Sequence, residues 1–322
     1  MGIARILLRV ALSVALINGA ACKRKEQLVI AVVPKGQAHV FWQTVHAGAR
    51  AAGQEFGAEI RWNGPASEID FSRQISIVED FVNQRVDGIA LAPSHGESLV
   101  PIVERAAQER IPVTIFDSGI QSTKYLSYVS TDNHKGGILA AERMGEILPG
   151  GGEIAIIGTI PGSVSTTERE NGFRQTVASR FPSIQIVEFQ YGMSDRAKGL
   201  AVAEDILTAH PNLSGIFCSN ESGTLGAVQA AKSKEVAGKL KIVGFDTSAT
   251  LIQDLQSGFI DSLVVQNPFR MGYLAVKTLI DQRRGHTPEK RIDTGATVVT
   301  AANLNDPSIQ ELLNPPIQKY LK

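Results

Sequence analysis

Cysteine is scarce in this 322-residue sequence, which has two, Cys22 and Cys218. They can close one disulfide at most, and neither has the spacing of a metal cluster, so a disulfide-stapled scaffold is excluded. Charge of one sign is also lacking: Lys and Arg total 32, and Asp and Glu total 32. That balance argues against a nucleic-acid binder working through bulk charge. Aromatic residues are only 6%, so the adjacent pair Phe41-Trp42 stands out. Enzyme fingerprints are missing. There is no Gly-x-Gly-x-x-Gly after the first apolar run, no phosphate loop ending in Gly-Lys-Ser/Thr, no His-Glu-x-x-His and no Gly-x-Ser-x-Gly. The six histidines are scattered. No catalytic residue, metal or cofactor is therefore expected.

The sequence also lacks a hydrophobic run long enough to span a bilayer, which takes about twenty residues. The strongest run, Val10 to Ile17, is short and follows Arg5 and Arg9. Gly19-Ala20-Ala21 supplies small residues at a cut site. This order of charge, apolar core and small residues is that of a secretory signal over residues 1–21, so the mature chain is expected outside the cytoplasm, in the periplasm or cell envelope. Cys22 directly follows the small residues. Both a lipoprotein cut, which would lipidate Cys22, and an ordinary signal-peptidase cut fit these residues.

What is present is an ordinary globular composition, with 43% hydrophobic and 20% charged residues. Short β-branched runs alternate with helical patterns. Strands are expected at 28–33, 59–62, 88–92, 113–116 and 126–129, then at 153–157, 185–189, 215–218, 241–245 and 261–265. Helices are expected between them, for example over 41–56, 71–84, 137–147, 167–181 and 269–282. Repeated strand–helix units imply parallel sheets covered on both faces. Ten strands divide into two five-stranded sheets, which predicts an α/β fold of two doubly wound lobes with a seam near Ser130–Asn133.

Ligands of such sheets bind beyond the carboxyl ends of the strands. Distinctive side chains recur there: His39 and Phe41-Trp42 after the first strand, then Asp117-Ser118, Asn133, Asn220, Asp246 and Gln266 after later ones, with Arg169 at a helix start. Each alone reads equally well as a turn former or helix cap. Together, from both halves of the chain, they point to one shared cleft. Planar groups that donate and accept at fixed angles suit a ligand rich in hydroxyls, and an aromatic face suits sugar C–H groups.

From Leu28 to about Thr300 the chain resembles the periplasmic binding proteins of the ribose-binding, lac-repressor-like type. The resemblance is carried by Phe41-Trp42, Ile111–Asp117, Thr131–Gly137, Glu168–Phe173, Asn220-Glu221 with Leu225–Ala227, Val243–Asp246 and Val265-Gln266. It implies three crossings between the lobes, a first lobe of 27–131 plus 267–296 and a second of 132–266 plus 297–322. It further implies that Phe41 and Trp42 sandwich a sugar and that Asp117 accepts from two hydroxyls. Arg169, Asn220 and Asp246 would clamp it from the second lobe, with Asn133 and Gln266 touching it at the hinges. Several positions depart from ribose binders: Ser118 stands where they have Arg, His39 where they have Asn, Ala92 where Asn would precede Pro93, and the second-lobe aromatic near Met193-Ser194 is missing. The expected ligand is thus a monosaccharide or related polyol that the ribose pattern does not specify. The resemblance also implies hinge closure, a monomer, and a membrane partner that is either an ABC-transporter permease or a sensor kinase. A transcriptional regulator of this fold needs an N-terminal helix-turn-helix, for which the export signal leaves no room.

Overall fold

The run Val29–Val33 contains no polar residue, a composition suited to a strand covered on both faces. It forms β1 (Val29–Val33), with four of its five residues buried. Ile30 and Val32 point into one core, while Ala31 and Val33 point into another on the opposite face. The structure, a computed structural model, describes residues 27–37 and 39–321; the expected signal segment and Cys22 lie outside them.

In the first sheet β1 is joined by β2 (Glu59–Trp62), β3 (Gly88–Leu91), β4 (Val113–Phe116), β5 (Ser127–Ser130) and the short β11 (Arg291–Asp293). The order is 11-5-4-3-1-2, and every pair is parallel. The second sheet holds β6 (Gly152–Gly158), β7 (Ile184–Tyr191), β8 (Gly215–Cys218), β9 (Lys241–Phe245), β10 (Ser262–Gln266) and β12 (Ala296–Thr300). Its order is 12-10-9-8-6-7, with β12 antiparallel to β10. Both sheets reverse their strand order beside their first strand, at β1/β3 and β6/β8, which is where doubly wound sheets bind ligands.

The helices are α1 (Val40–Phe56), α2 (Phe71–Asn83), α3 (Val100–Gln108), α4 (Asn133–Ile147), α5 (Val164–Arg180), α6 (Arg196–Ala209), α7 (Glu221–Ser233), α8 (Ala249–Gln256), α9 (Pro268–Arg283), α10 (Pro307–Leu313) and α11 (Ile317–Tyr320). Helix α4 starts four residues before the expected position, because Asp132 caps it by accepting from the Lys135 N–H at 3.0 Å. Gly137 then lies within the helix. A Cβ there would collide with the Arg169 carbonyl of α5, so glycine is what lets the two helices meet backbone to backbone. Gly48 of α1 performs the same task against the Phe269 carbonyl of α9.

The chain passes between the sheets after β5, after β10 and between β11 and β12. The first and third passages are tied together: the Thr131 hydroxyl donates to the Gly295 carbonyl at 3.2 Å, and the Asp132 N–H donates to Asp293 Oδ1 at 3.1 Å.

Three expectations need correction. The sheets have six strands rather than five, because β11 and β12 add edge strands beyond the ten expected. Residue 296 opens β12 and so belongs to the second sheet, not to the first lobe's 267–296. The second lobe's stretch 297–322 does not stay on that lobe to its end. After α10, whose Ile309 packs into the second-lobe core, α11 lies against α1, with the Tyr320 ring 5.8 Å from Phe269. Pro315-Pro316 is the reason: neither residue can donate to a continuing helix, so the tail breaks and turns to the other lobe. Cys218, the only cysteine among the described residues, is fully buried in β8, and burial pushes its thiol pKa up.

Candidate functional site

The strand ends of the two sheets face each other across a cleft. Lys35, two residues beyond β1, is 4% exposed. Its Nζ lies 2.8 Å from Asp117 Oδ2 and donates to Ser165 Oγ at 2.9 Å and to Ser163 Oγ at 3.3 Å. One first-lobe ammonium thus holds a carboxylate of its own lobe and two hydroxyls of the other. Asp117 follows β4 and Asp246 follows β9, both with left-handed backbone, φ 59° and 67°. Aspartate is among the few non-glycine residues that adopt this conformation readily.

Asp246 sits in a second buried cluster. Its Oδ1 accepts from Gln266 Nε2 at 2.6 Å, and Arg169 Nη1 approaches Oδ2 at 3.8 Å. Burial pushes the Asp246 carboxyl pKa up, and Arg169 and Gln266 oppose that rise. Arg169 is itself fixed: Nε donates to Asn133 Oδ1 at 2.8 Å, Nη1 donates to the Ser219 carbonyl at 2.9 Å, and the guanidinium lies 3.9 Å over the Phe245 ring.

His39 precedes α1 and does not cap it. Its ring crosses the cleft instead, with Nε2 donating to the Ser194 carbonyl at 3.1 Å. Two carboxylates flank the ring, Glu68 of the first lobe at 3.6 Å and Glu221 of the second at 3.7 Å. Trp42 Nε1 donates to Glu68 Oε1 at 2.8 Å, and Phe41 stands edge-on to Trp42 at 4.9 Å. Asn220 caps α7, accepting from the Gly223 N–H at 3.0 Å, while its Nδ2 donates to Ser194 Oγ at 3.1 Å. The loop at Met193-Ser194, where the second-lobe aromatic is missing, therefore carries one of the direct contacts between the lobes.

The lobes are shut. The Ser165 N–H donates to Ser118 Oγ at 3.1 Å, and at the rim the Gly96 N–H donates to the Gly162 carbonyl at 3.0 Å. The cavity between them is about 40 Å³. Of the buried oxygens on its lining residues, Asp117 Oδ2 has only the Lys35 ammonium at 2.8 Å, and Glu221 Oε2 and Gln266 Oε1 have no hydrogen-bond partner; all three are acceptors. Burial pushes the Glu221 carboxyl pKa up, with His39 opposing. Among the described residues no group of three or more His, Cys, Asp or Glu is placed to hold a metal.

His39, Phe41, Trp42, Asp117, Arg169, Asn220, Asp246 and Gln266 all line this cavity. Ser118 and Asn133, expected to touch ligand, are not among the residues that line it. Both are fully buried: Ser118 anchors the start of α5, and Asn133 spends its carboxamide oxygen on Arg169. Lys35, Glu68, Thr159, Ser165, Thr166 and Glu221 also line the cavity, though none was among the expected ligand contacts. Their only sequence signal is position, since Lys35 and Thr159 follow first strands and Glu221 follows Asn220.

Residues 30–287 match the family described as a periplasmic binding protein domain. The D-ribose/D-allose-binding protein of Pseudomonas aeruginosa is 31% identical over 284 residues, covering 84% of this chain and 88% of that protein. A ribose import binding protein of Bacillus subtilis is 32% identical over 224 residues, 69% of this chain and 72% of the other. Among solved structures, a carbohydrate transporter solute-binding protein from Agrobacterium radiobacter, in complex with D-arabinose, superposes with a TM-score of 0.87 at 34% identity, covering 90% of this chain and all of that one. An ABC transporter solute-binding protein from Agrobacterium vitis with bound D-fucose gives 0.87 at 37% identity, covering 89% and 100%.

Proposed function

Because the chain belongs to the periplasmic binding protein family, we propose that it captures a monosaccharide or related polyol between its lobes and delivers it to an ABC transporter. The observation that carries the ligand class is the pair of unpartnered acceptors, Glu221 Oε2 and Gln266 Oε1. A buried acceptor without a donor is costly, and a polyol is a ligand made of donors. Asp117 and Asp246 add two carboxylates whose positions suit bidentate acceptance from neighbouring hydroxyls, and Phe41 and Trp42 offer apolar faces. Relatives named for ribose, allose, arabinose and fucose fit the same chemistry.

Binding proceeds by population shift. A ligand that touches both lobes has contacts in the shut form that a splayed form lacks, and this difference drives closure. Motion takes place at the three passages between the sheets, since the helix pairs within each lobe are locked backbone to backbone. Selectivity follows from the acceptors, because an analogue missing a hydroxyl leaves a buried oxygen unpaired. The role is capture and release, not turnover. Export by the 1–21 signal and a lipid on Cys22 would hold the protein beside its transporter; intact mass of the mature chain tests the lipid.

The test of the ligand class is a thermal-shift screen of the mature protein against pentoses, hexoses, polyols and amino acids. A ligand at about 100 times its Kd adds roughly 2.7 kcal/mol to the folded state, a shift of a few degrees. A sugar or polyol is expected to raise Tm and to be recovered chemically unchanged. Stabilisation by amino acids alone would overturn the reading, and recovery of a converted sugar would make the protein an enzyme.

A further inference from the structure

Excess negative charge marks one corner of the cleft. The lining carries four carboxylates, Glu68, Asp117, Glu221 and Asp246, against two permanent cations, Lys35 and Arg169. Both cations are placed: Lys35 lies 2.8 Å from Asp117, and Arg169 approaches Asp246 at 3.8 Å. That leaves Glu68 of the first lobe and Glu221 of the second with His39 between them, at 3.6 and 3.7 Å. Arg196 of α6 favours the charged form of Glu221 through space but does not line the cleft, and the Asp246 carboxylate acts against it.

The same corner lacks a donor. A carbonyl cannot donate, so the contact with Ser194 places a proton on His39 Nε2. In the neutral ring Nδ1 is then a bare lone pair, and it faces Glu221 Oε2 at 3.7 Å, acceptor toward acceptor. Glu221 is 6% exposed, and its Oε2 has no hydrogen-bond partner. A proton added at Nδ1 would offset one of the two carboxylates and leave the other. A hydroxyl of a neutral sugar would meet the hydrogen-bonding need of Oε2 but leave the charge uncompensated, and a buried charge is costly unless it is paired. We infer that the ligand is an amino sugar, whose ammonium donates to Glu221 Oε2 and to His39 Nδ1 and is attracted by Glu68 from beyond the ring. This rests on the sugar reading above and narrows it. His39 and Glu221 belong to different lobes, so the amine bridges them and its charge adds to the free energy of closure. Burial pushes the Glu221 carboxyl pKa up; a cation bound beside it opposes that rise and keeps the side chain ionised.

Isothermal titration calorimetry decides the matter. D-ribose, D-allose, D-arabinose and D-fucose are each compared with derivatives in which one non-anomeric hydroxyl is replaced by an amine, a near-isosteric exchange that adds a charge. At least one amine is expected to bind about tenfold or more tighter than its parent sugar, since charge-assisted hydrogen bonds are roughly twice as strong as neutral ones. In Glu221→Gln that margin should vanish, and in Glu68→Gln it should shrink; Glu68→Gln also reads the margin if Glu221→Gln binds neither sugar. If a parent sugar binds and no amine binds tighter, or if the margin survives in full in every variant that binds, the inference falls and the sugar reading stands. If no sugar binds, with or without an amine, both fall together.

Discussion

The two lobes solve the same problem with different counterions. Each ends its fourth strand on Phe-Asp, Phe116-Asp117 in one and Phe245-Asp246 in the other, and both aspartates are buried with left-handed backbone. Each also packs a helix that follows its first strand against one that arrives from the other lobe, through glycines at the same offset from the helix start, Gly48 in α1 and Gly172 in α5. The scaffold is thus repeated. The partners are not: Asp117 is held by a single ammonium, Lys35, which also reaches across the cleft, whereas Asp246 is held by Arg169 and Gln266 within its own half. A repeated backbone has been given one side that latches and one side that stays assembled.

The largest expected effect separates those two arrangements. Arg169→Met strips Asp246, Asn133 and the Ser219 carbonyl of a shared partner, so binding should be lost and stability should fall by about 3–5 kcal/mol, as for breaking a buried ion pair. Lys35→Met should also abolish tight binding but cost less stability, because its hydroxyl partners sit on the far lobe and are freed when the lobes part. The double change Lys35→Met with Asp117→Asn, which removes both charges and keeps a side chain tolerated in left-handed backbone, should recover most of the stability and none of the binding. Urea unfolding and calorimetry on the three variants read these outcomes; equal stability losses at Arg169 and Lys35 would erase the distinction between latch and assembled cluster.

Next come the glycines. Gly48→Ala and Gly137→Ala each drive a methyl into a carbonyl of the facing helix, so each should cost about 1–3 kcal/mol. Similar losses in urea midpoint are the signature of a duplicated device, and a large difference would show that only one lobe depends on it.

A smaller effect is a pH dependence carried by the second lobe. Burial raises the Glu221 carboxyl above its ordinary 4.5. The folded chain keeps that proton after the unfolded chain has released it, so this group's contribution is greatest at low pH and is lost as pH rises from 4.5 through the raised value. Glu221→Gln should therefore flatten the fall in stability as pH rises above 4.5, measured by urea midpoint across a pH series. A further pH effect sits in the first lobe and has the opposite sign. Burial, with help from Arg50, pushes His46 down to about 4, and its ring stacks on Trp62 at 4.3 Å. Below pH 6.5 the unfolded chain takes a proton that the folded chain refuses until about 4, so stability is lost as pH falls through that window. His46→Phe keeps the stack and should make that loss shallower.

The two-sheet architecture was readable because the central strands are short apolar runs, such as Val29–Val33 or Ile242–Phe245, bounded by turn residues. The edges were not. Strand β11 is Arg-Ile-Asp with only its middle residue half-buried, so it has neither length nor an apolar face to announce it. The aromatic pair and the polar strand ends located the cleft, but nothing local marked Lys35, Glu68 and Glu221 as buried lining residues. Their burial is produced by the opposite lobe, which no local pattern reports. Ser118 and Asn133 show the converse: position at a strand end or helix start places a residue near the cleft without saying whether its polar atoms are already spent.

Cys218 gives the second lobe a timekeeper. Its sulfur is sealed in β8 one residue before Ser219, whose carbonyl holds Arg169. A thiol so enclosed, with ionisation opposed by burial, is spared the oxidation that an exposed thiolate meets outside the cytoplasm. Alkylating reagents reach it only when β8 leaves the sheet. Swinging of the lobes about their passages leaves it unlabelled, and loss of the core exposes it, so one side chain distinguishes the working motion of the protein from its unfolding.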